Sequence, residues 1–192
     1  MIHFGTQLLT TERLILRRYE PEDAEDMFRN WASDPEVTKF LSWQPYTGID
    51  EVKEHLAKII PGYEDRSTYR WTIVLKETDE PIGDISVVGW NEPIEMSRLG
   101  YCLGSDWWHQ GLMTEAVQEV IRYLFTWVQV KRIEAWHNVN NPHSGAVMKK
   151  CGMSYEGTLR NIGMDNTGLH DECVYSILDT DYYKNMENIW RK

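Results

Sequence analysis

Hydrophobic positions in the first third of the chain follow a strand period and then helical periods. Within residues 11–19 two leucines, at 14 and 16, alternate with Arg13, Ile15 and Arg17, which predicts a strand. Pro21 then opens a predicted helix with acidic residues in its first turn, and the Asp34–Pro35 pair predicts a capped helical turn. Apolar residues at helical spacing predict a further helix over 49–60.

The middle of the chain changes to a period of two. Aromatic or aliphatic residues occupy every second position over 69–75, and similar runs follow over 82–88 and 96–103. Turn residues at 76–81 and 91–93 separate the runs. These three segments therefore predict an antiparallel meander.

Helices and strands alternate in the second half of the chain. An apolar stripe predicts a helix after Gly111, and a strand over 132–136 and a helix over 142–150 follow. The last two predicted strands, 153–159 and 173–178, are joined by a loop with turn residues. This order predicts an α/β (α+β) fold: a mixed, mostly antiparallel central sheet of six to seven strands with helices on both faces.

Composition limits the kind of protein. The chain has 192 residues without an internal repeat or linker, so residues 1–192 are predicted to form a single domain. A net charge of −10 argues against a nucleic-acid partner and suits a cationic substrate. No signal peptide or long apolar run is present, which predicts a cytoplasmic protein with no membrane contact. The three cysteines are far apart in sequence, so neither a disulfide framework nor a metal site is predicted.

The segment Trp107–Ala116 carries the first candidate site, because it joins a strand to an amphipathic helix. Free N–H groups at a helix N-terminus and the helix dipole attract anions, so a pyrophosphate could bind there without a basic side chain. Gly111 would let the backbone approach phosphates closely. A glycine in such a turn also has a purely structural explanation.

A second candidate element lies at the start of the helix over 142–150. Asn141, Pro142 and Gly152 are explained by helix capping. Capping does not explain Ser144, whose hydroxyl lies in the first helical turn. Ser144 is either an ordinary helix-start serine or a group that points into a cleft beside the first site.

Taken together, these elements resemble the GCN5-related N-acetyltransferase (GNAT) superfamily, and in particular its ribosomal-protein acetyltransferase branch of the RimJ/RimL type. The resemblance covers about residues 8–180. It rests on the Gln110–Ala116 and Asn141–Ser144 motifs and on a set of shorter matches: Thr11–Arg17, Asp34–Val37, Pro81–Gly83, Leu99–Leu103, Lys150–Met153, Tyr155–Gly157 and Asp171. It implies the acyl-CoA N-acyltransferase (GNAT) fold and an enzyme that uses acetyl-CoA as cosubstrate, without a metal.

The resemblance also implies which residues hold the coenzyme. The family's pyrophosphate loop falls on Trp108–Met113, which keeps the central Gly111 but has Trp108 and Met113 at its first and last motif positions. Because backbone amides hold the phosphates, these departures should matter little. The implied coenzyme-binding residues are Tyr101, Cys102 and Leu103 on a splayed strand, His109, Gln110, Gly111, Leu112, Met113 and Thr114 in the loop and helix, and Asn141 and Ser144 on the later helix.

For catalysis, the resemblance implies direct attack of a neutral amine on the thioester. A backbone N–H of Tyr101 or Cys102 would stabilise the oxyanion, and such a donor can contribute roughly 3 kcal/mol. The family's acidic tyrosine falls on Met148, which leaves Ser144 as the expected proton donor.

The general base is left open, because the branch glutamate falls on Gly163. Glu95 is a candidate base in front of the splayed strand, although a solvated turn residue is the alternative. His109 and the His170–Asp171 pair are further candidates, with surface or capping roles as the alternative. An α-amine, with a reference pKa of ~7.7–8.0, needs less help than a lysine. The missing glutamate therefore favours a protein N-terminal amine.

Trp43 and Tyr46 lie in the segment where this fold places its acceptor site, so they are expected to line it. The alternative is that they anchor an ordinary loop.

Two other functions stay open. One is a small-molecule acetyltransferase for a polyamine or aminoglycoside, which the acidic charge would suit. The other is a coenzyme-A-binding regulatory module with little activity. The sequence is compatible with a monomer or a homodimer.

Overall fold

The computed structural model describes the backbone of residues 1–190 and the side chains of residues 1–184. Its centre is one eight-stranded sheet in the order β1-β2-β3-β4-β5-β6-β8-β7, in which β5 and β6 are parallel and all other neighbours are antiparallel. The strands are β1 Leu9–Thr10, β2 Leu14–Arg17, β3 Arg70–Leu75, β4 Glu80–Asn91, β5 Met96–Leu103, β6 Arg132–Asn138, β7 Ser154–Asp165 and β8 Gly168–Leu178.

Six α-helices accompany the sheet in the described part of the chain: α1 Ala24–Met27, α2 Pro35–Thr38, α3 Ile49–Ile59, α4 Leu112–Tyr123, α5 Pro142–Lys150 and α6 Asp179–Trp190. A 3₁₀ turn at Pro21–Asp23 precedes α1, and π turns extend α1 and α4. No helix within residues 1–190 is long and apolar enough to cross a membrane.

The predicted fold class is confirmed, with three differences in detail. The predicted first strand divides into β1 and β2, because the Thr11 N–H turns back to the Leu14 carbonyl at 3.0 Å. Counting β1, the sheet has eight strands instead of six to seven. The last two strands are longer than predicted and meet in a tight hairpin at Asn166–Thr167, and α6 lies beyond the predicted elements.

The two faces of the sheet bury separate apolar clusters. The larger one joins the sheet to α4 and α5 and includes Leu99, Val117 and Ile133. The smaller one joins the sheet to α1–α3 and includes Trp31 and Leu56. Side chains of a strand alternate between the two faces, so Tyr101 packs on the α4–α5 side and Cys102 on the α1–α3 side.

The parallel strands β5 and β6 separate halfway along their length. Their pairing runs from Met96 with Arg132 to Leu99 with Ala135 and ends there. Beyond this point β5 pairs only with β4, and β6 pairs only with β8, in the part of the chain that the structure describes. A wedge-shaped opening therefore crosses the sheet between residues 100–103 and 136–138.

Candidate functional site

The β5 edge of the opening carries unpaired backbone groups. Gly104 N–H donates to the Ile82 carbonyl at 2.8 Å, which sets the alternation of hydrogen bonds between β4 and β5. By this alternation, the N–H groups of Tyr101 and Leu103 point into the opening, while Cys102 pairs with Asp84. Within residues 1–190, no strand pairs with this edge. The edge can therefore bind an extended ligand through its backbone.

Beside this edge, the α4 loop (residues 108–113) leads into α4. Gly111 has a φ of 79°, in the region that favours glycine, and is the N-cap of the helix. The N–H groups of Leu112, Met113 and Thr114 have no carbonyl one turn earlier, so they and the helix dipole favour an anion. A groove of about 340 Å³ beside them is lined by Arg13, Thr114, Gln118 and Lys150, among others.

Glu115 fixes the position of the α4 loop. Its carboxylate accepts hydrogen bonds from the Thr11 hydroxyl, the Arg13 N–H and the Arg13 guanidinium at 2.5–2.9 Å. Arg13 also donates to the Gln110 carbonyl at 3.0 Å. Burial raises the pKa of Glu115, but these hydrogen bonds outweigh burial and lower it overall. Sequence reasoning missed Glu115 and Arg13, because their partners lie about a hundred residues away.

Two side chains also connect the strand edge to its surroundings. The Trp108 indole donates to the Leu103 carbonyl at 2.8 Å and so fastens the α4 loop to the end of β5. Across the opening, the Ser144 hydroxyl donates to the Tyr101 hydroxyl at 3.1 Å, and Tyr101 donates to the Ser144 carbonyl at 3.0 Å. Burial raises the pKa of Tyr101 well above its usual value. The structure therefore brings together Tyr101 and Ser144.

Asn141 acts as the N-cap of α5, since its side chain accepts from the Ser144 N–H at 3.4 Å. His109 is exposed in the α4 loop with a φ of 62°, and its ring lies 5.2 Å from that of His143 at the start of α5. The N-termini of α4 and α5 thus face each other at the same end of the opening. His143 is a neighbour of this site that the sequence did not indicate.

On the other face of the sheet, the opening meets the segment around Trp43. Trp43 stacks on Tyr46 with ring centroids 5.4 Å apart, and His55 of α3 lies next to Tyr46 at 5.9 Å. Asn166, at the tip of the β7–β8 hairpin, donates to the carbonyls of Thr38 and Trp43, both at 2.8 Å. We call the space bounded by Trp43, Tyr46, Asn166 and Glu172 the hairpin mouth.

Acidic groups and one histidine line the hairpin side of this mouth. Glu172 pairs with Asn138 at the end of β6, and its side chain is 20% exposed. The buried His170 ring lies 3.4 Å from both the Glu172 and Asp165 carboxylates. A side chain at Gly163 would collide with His170 and Glu172, at 2.2 and 2.5 Å from its Cβ. These two residues thus fill the position at which the resemblance leads us to expect a glutamate.

Hydrogen bonds stabilise the ionised form of the Asp165 carboxylate. Burial raises its pKa, but donation from Thr167 and Asn138 outweighs burial, and the pKa of Asp165 is lowered overall. Asn138 reaches Asp165 at 2.8 Å. The hairpin side of the mouth therefore holds negative charge. Sequence reasoning did not single out Glu172, which stands just before the strand predicted over 173–178 and resembles an ordinary charged surface residue there.

The structure does not bring Glu95 to the opening. Glu95 precedes β5 and lies six residues before Tyr101, which in a strand corresponds to about 20 Å. Its carboxylate binds the amino group of Met1, and this contact lowers the pKa of Glu95. Glu95 therefore lies at the opposite end of β5 from Ser144 and is positioned to neutralise the Met1 amine.

The arrangement can hold two ligands, one on each face of the sheet. Backbone donors on the α4–α5 face suit a phosphate-bearing chain that runs along β5, and the Tyr101 N–H lies where such a chain would enter the opening. On the other face, carboxylates and aromatic rings can receive a second, amine-bearing molecule. The two ligands would meet within the sheet.

Comparison with known proteins gives consistent results. The family model described as "Acetyltransferase (GNAT) domain" matches residues 13–154. The chain is 34% identical to the uncharacterized N-acetyltransferase p20 of Bacillus licheniformis, over 92% of this chain and 98% of that protein. It is 24% identical to the [ribosomal protein uS5]-alanine N-acetyltransferase of Escherichia coli K12, over 91% and 92% of the two chains.

Solved structures share the fold. The structure of RimL, a ribosomal L7/L12 alpha-N-protein acetyltransferase in complex with coenzyme A, superimposes with a TM-score of 0.79. The sequence identity is 19%, and the match covers 90% of this chain and 98% of that chain.

Proposed function

Because the chain belongs to the GNAT acetyltransferase family and is an acetyl-CoA-dependent N-acetyltransferase, we propose that its acceptor is the α-amine of a protein N-terminus. The observation that carries this proposal is the opening between β5 and β6, with backbone donors on one face and a ring of side chains on the other. The named relatives include enzymes that act on a ribosomal-protein alanine and on a ribosomal-protein α-amine.

The coenzyme half of the proposed site uses the α4 loop and the free edge of β5. The pyrophosphate of acetyl-CoA would bind the N–H groups of Leu112, Met113 and Thr114. The pantetheine arm would pair with the β5 edge, and the Tyr101 N–H would donate to the thioester oxygen. Between the two N–H donors considered from the sequence, the hydrogen-bond alternation favours Tyr101 over Cys102.

The acceptor amine would reach the thioester from the hairpin mouth. Its nitrogen attacks the carbonyl carbon, the carbon–sulfur bond breaks, and the acetyl group becomes an amide. The amine loses one proton and the thiolate gains one. Ser144 is the proposed donor to the sulfur, held by its hydrogen bond to Tyr101, and it regains its proton from solvent.

For the proton that leaves the amine, the structure favours Glu172 over Glu95. Glu172 is partly exposed beside the opening and contacts His170, one of the histidines considered from the sequence. Glu95 is about 20 Å away along β5 and already paired. Glu172 would accept the proton directly or through a water molecule.

Calorimetric titration with acetyl-CoA, followed by measurement of thiol release, tests the proposal. The amines to compare are short peptides with free N-termini, the same peptides with blocked N-termini and an internal lysine, polyamines and aminoglycosides. We expect acetyl-CoA binding and release with the free N-termini. Preference for polyamines or aminoglycosides would replace the N-terminal acceptor by a small amine, and binding without any release would favour a regulatory module.

A further inference from the structure

A pair of charged residues on the α1–α3 face of the sheet is not used by the proposed reaction. Asp84 of β4 is buried and accepts hydrogen bonds from the Tyr19 hydroxyl at 2.9 Å and from Arg70 Nε at 3.0 Å. Arg70 of β3 is 31% exposed at its side chain. The carboxylate is thus buried, whereas the Arg70 side chain is partly exposed.

The strand register places this pair next to the opening. Arg70 lies opposite Ser86, which lies opposite Gly100, the first residue of β5 beyond the end of its pairing with β6. Two strand spacings separate Arg70 from Gly100, or about 10 Å between Cα atoms. Asp84 lies directly opposite Cys102. Arg70 therefore belongs to the same face and level of the sheet as the hairpin mouth.

The charge of Arg70 also acts on the aromatic wall of that mouth. Burial lowers the pKa of His55, and the nearby Arg70 lowers it further. Burial raises the pKa of Tyr46, and Arg70 opposes this rise. Both side chains therefore lie within electrostatic range of the guanidinium, on the side of the mouth away from the hairpin.

A second arginine–aspartate pair on the same face shows what is unusual about Arg70. Arg17 donates both terminal nitrogens to the two oxygens of Asp23, at 2.6 and 2.8 Å. Arg70 contacts Asp84 through Nε alone, and within the described residues its terminal nitrogens have no protein hydrogen bond. Neither nitrogen is completely enclosed by protein, so solvent can reach both. A guanidinium that is held at Nε and has free terminal N–H groups matches a carboxylate.

We infer that the acceptor carries a carboxylate close to its amine and that Arg70 binds this carboxylate. The hairpin mouth then has two poles. Arg70 stands on the α3 side, and Asp165 and Glu172 stand on the hairpin side, where they would attract the ammonium group before it loses its proton. The inference rests on the proposed function. It narrows the acceptor to a chain with an acidic residue just after its N-terminal amine. A free amino acid carries the same pair of charges, and the test below distinguishes it from the peptide.

Matched acceptors test this inference. Initial rates of thiol release would be compared for a hexapeptide with Asp at its second position and the same peptide with Asn, and for a free amino acid and its α-amide. We expect kcat/KM about tenfold or more higher for the carboxylate member of one pair, since a hydrogen-bonded ion pair contributes at least that factor. The pair that discriminates identifies the source of the carboxylate.

Two variants assign the discrimination to Arg70. In Arg70→Lys the charge beside Asp84 is kept but the fork of N–H donors is lost, and in Arg70→Gln both are lost. We expect the ratio within the discriminating pair to fall to about twofold in both variants. Arg17→Gln is the matched control: it also leaves a buried aspartate without its arginine, and it should keep the ratio of the unaltered protein. Melting temperature and acetyl-CoA affinity show whether each variant is folded.

The outcomes separate this inference from the proposed function. Equal rates for both members of both pairs, with thiol release intact, would overturn the role of Arg70 and leave the N-acetyltransferase assignment standing. An equal loss of discrimination in Arg17→Gln would also overturn it, because the effect would then be structural. Release with none of the amines would overturn the proposed acceptor, and the inference with it.

Discussion

On the α4–α5 face, the opening between β5 and β6 meets backbone groups, whereas on the α1–α3 face it meets side chains. The first face offers the N–H groups of a strand edge and a helix N-terminus. The second offers Trp43, Tyr46, Arg70, Asn166 and Glu172, which come from four separate segments of the chain. Backbone donors remain when side chains change, so the two faces should respond differently to substitution.

The largest effect is expected on the side-chain face, from Glu172→Gln. Loss of the proposed base should lower kcat/KM for an N-terminal peptide by about 10²–10³-fold near pH 7. The deficit should shrink above pH 8, because the amine, with a reference pKa of ~7.7–8.0, is then already neutral. A pH–rate profile of both proteins measures this.

The control for that variant is Glu156→Gln. Glu156 lies on the neighbouring strand β7 and contacts Ser176 of β8 and Arg132 of β6, away from the hairpin mouth. It should retain the activity of the unaltered protein. A pH-independent deficit in Glu172→Gln would contradict a role in proton removal.

On the backbone face, Gly111→Val should weaken acetyl-CoA binding by about 30-fold, as expected when hydrogen bonds to a charged phosphate are lost. Gly152→Val is a matched control, since Gly152 also has a positive φ, at 84°, but ends α5. Both variants should lose some stability, but only Gly111→Val should alter the dissociation constant measured by calorimetry. Equal affinity of the two variants would contradict the proposed phosphate site.

A smaller effect is expected where the faces meet. Ser144→Ala should lower kcat about tenfold, the value of one hydrogen bond to a developing charge, with the acetyl-CoA dissociation constant nearly unchanged. Tyr101→Phe, which removes the partner of the Ser144 hydroxyl, should reproduce part of this loss. Unchanged turnover in Ser144→Ala would remove Ser144 from the mechanism.

The smallest effect should come from Asn166→Ala, which removes three hydrogen bonds that position the Trp43 segment: two that the Asn166 amide donates and one that it accepts from Gln44. We expect the KM for the acceptor to rise about threefold while kcat and acetyl-CoA affinity stay the same. Steady-state kinetics with the peptide as the varied substrate measure this. A change in acetyl-CoA affinity would show that the two faces are coupled.

The same contrast explains what the sequence could predict. The meander, α5 and the α4 loop follow from local periodicity, Asn141 capping and Gly111, so the elements of the proposed coenzyme half were predictable. Arg70, Asp84 and Glu172 sit in strands where a charged residue is normally taken as solvent-facing, and only the register across β3, β4 and β5 brings Arg70 to the opening. The proposal prefers Glu172 to Glu95 for a related reason: the distance of Glu95 from Ser144 depends on which end of β5 opens.

The amide of Asn166 also has a topological consequence. By binding the carbonyls of Thr38 and Trp43, it joins the hairpin to the segment before α3 and closes the hairpin mouth into a ring of protein. An internal loop of a folded polypeptide cannot pass through an opening that is closed on all sides. A long acceptor of the proposed kind would therefore have to enter end first, which would favour a free chain terminus over an internal lysine on a folded surface.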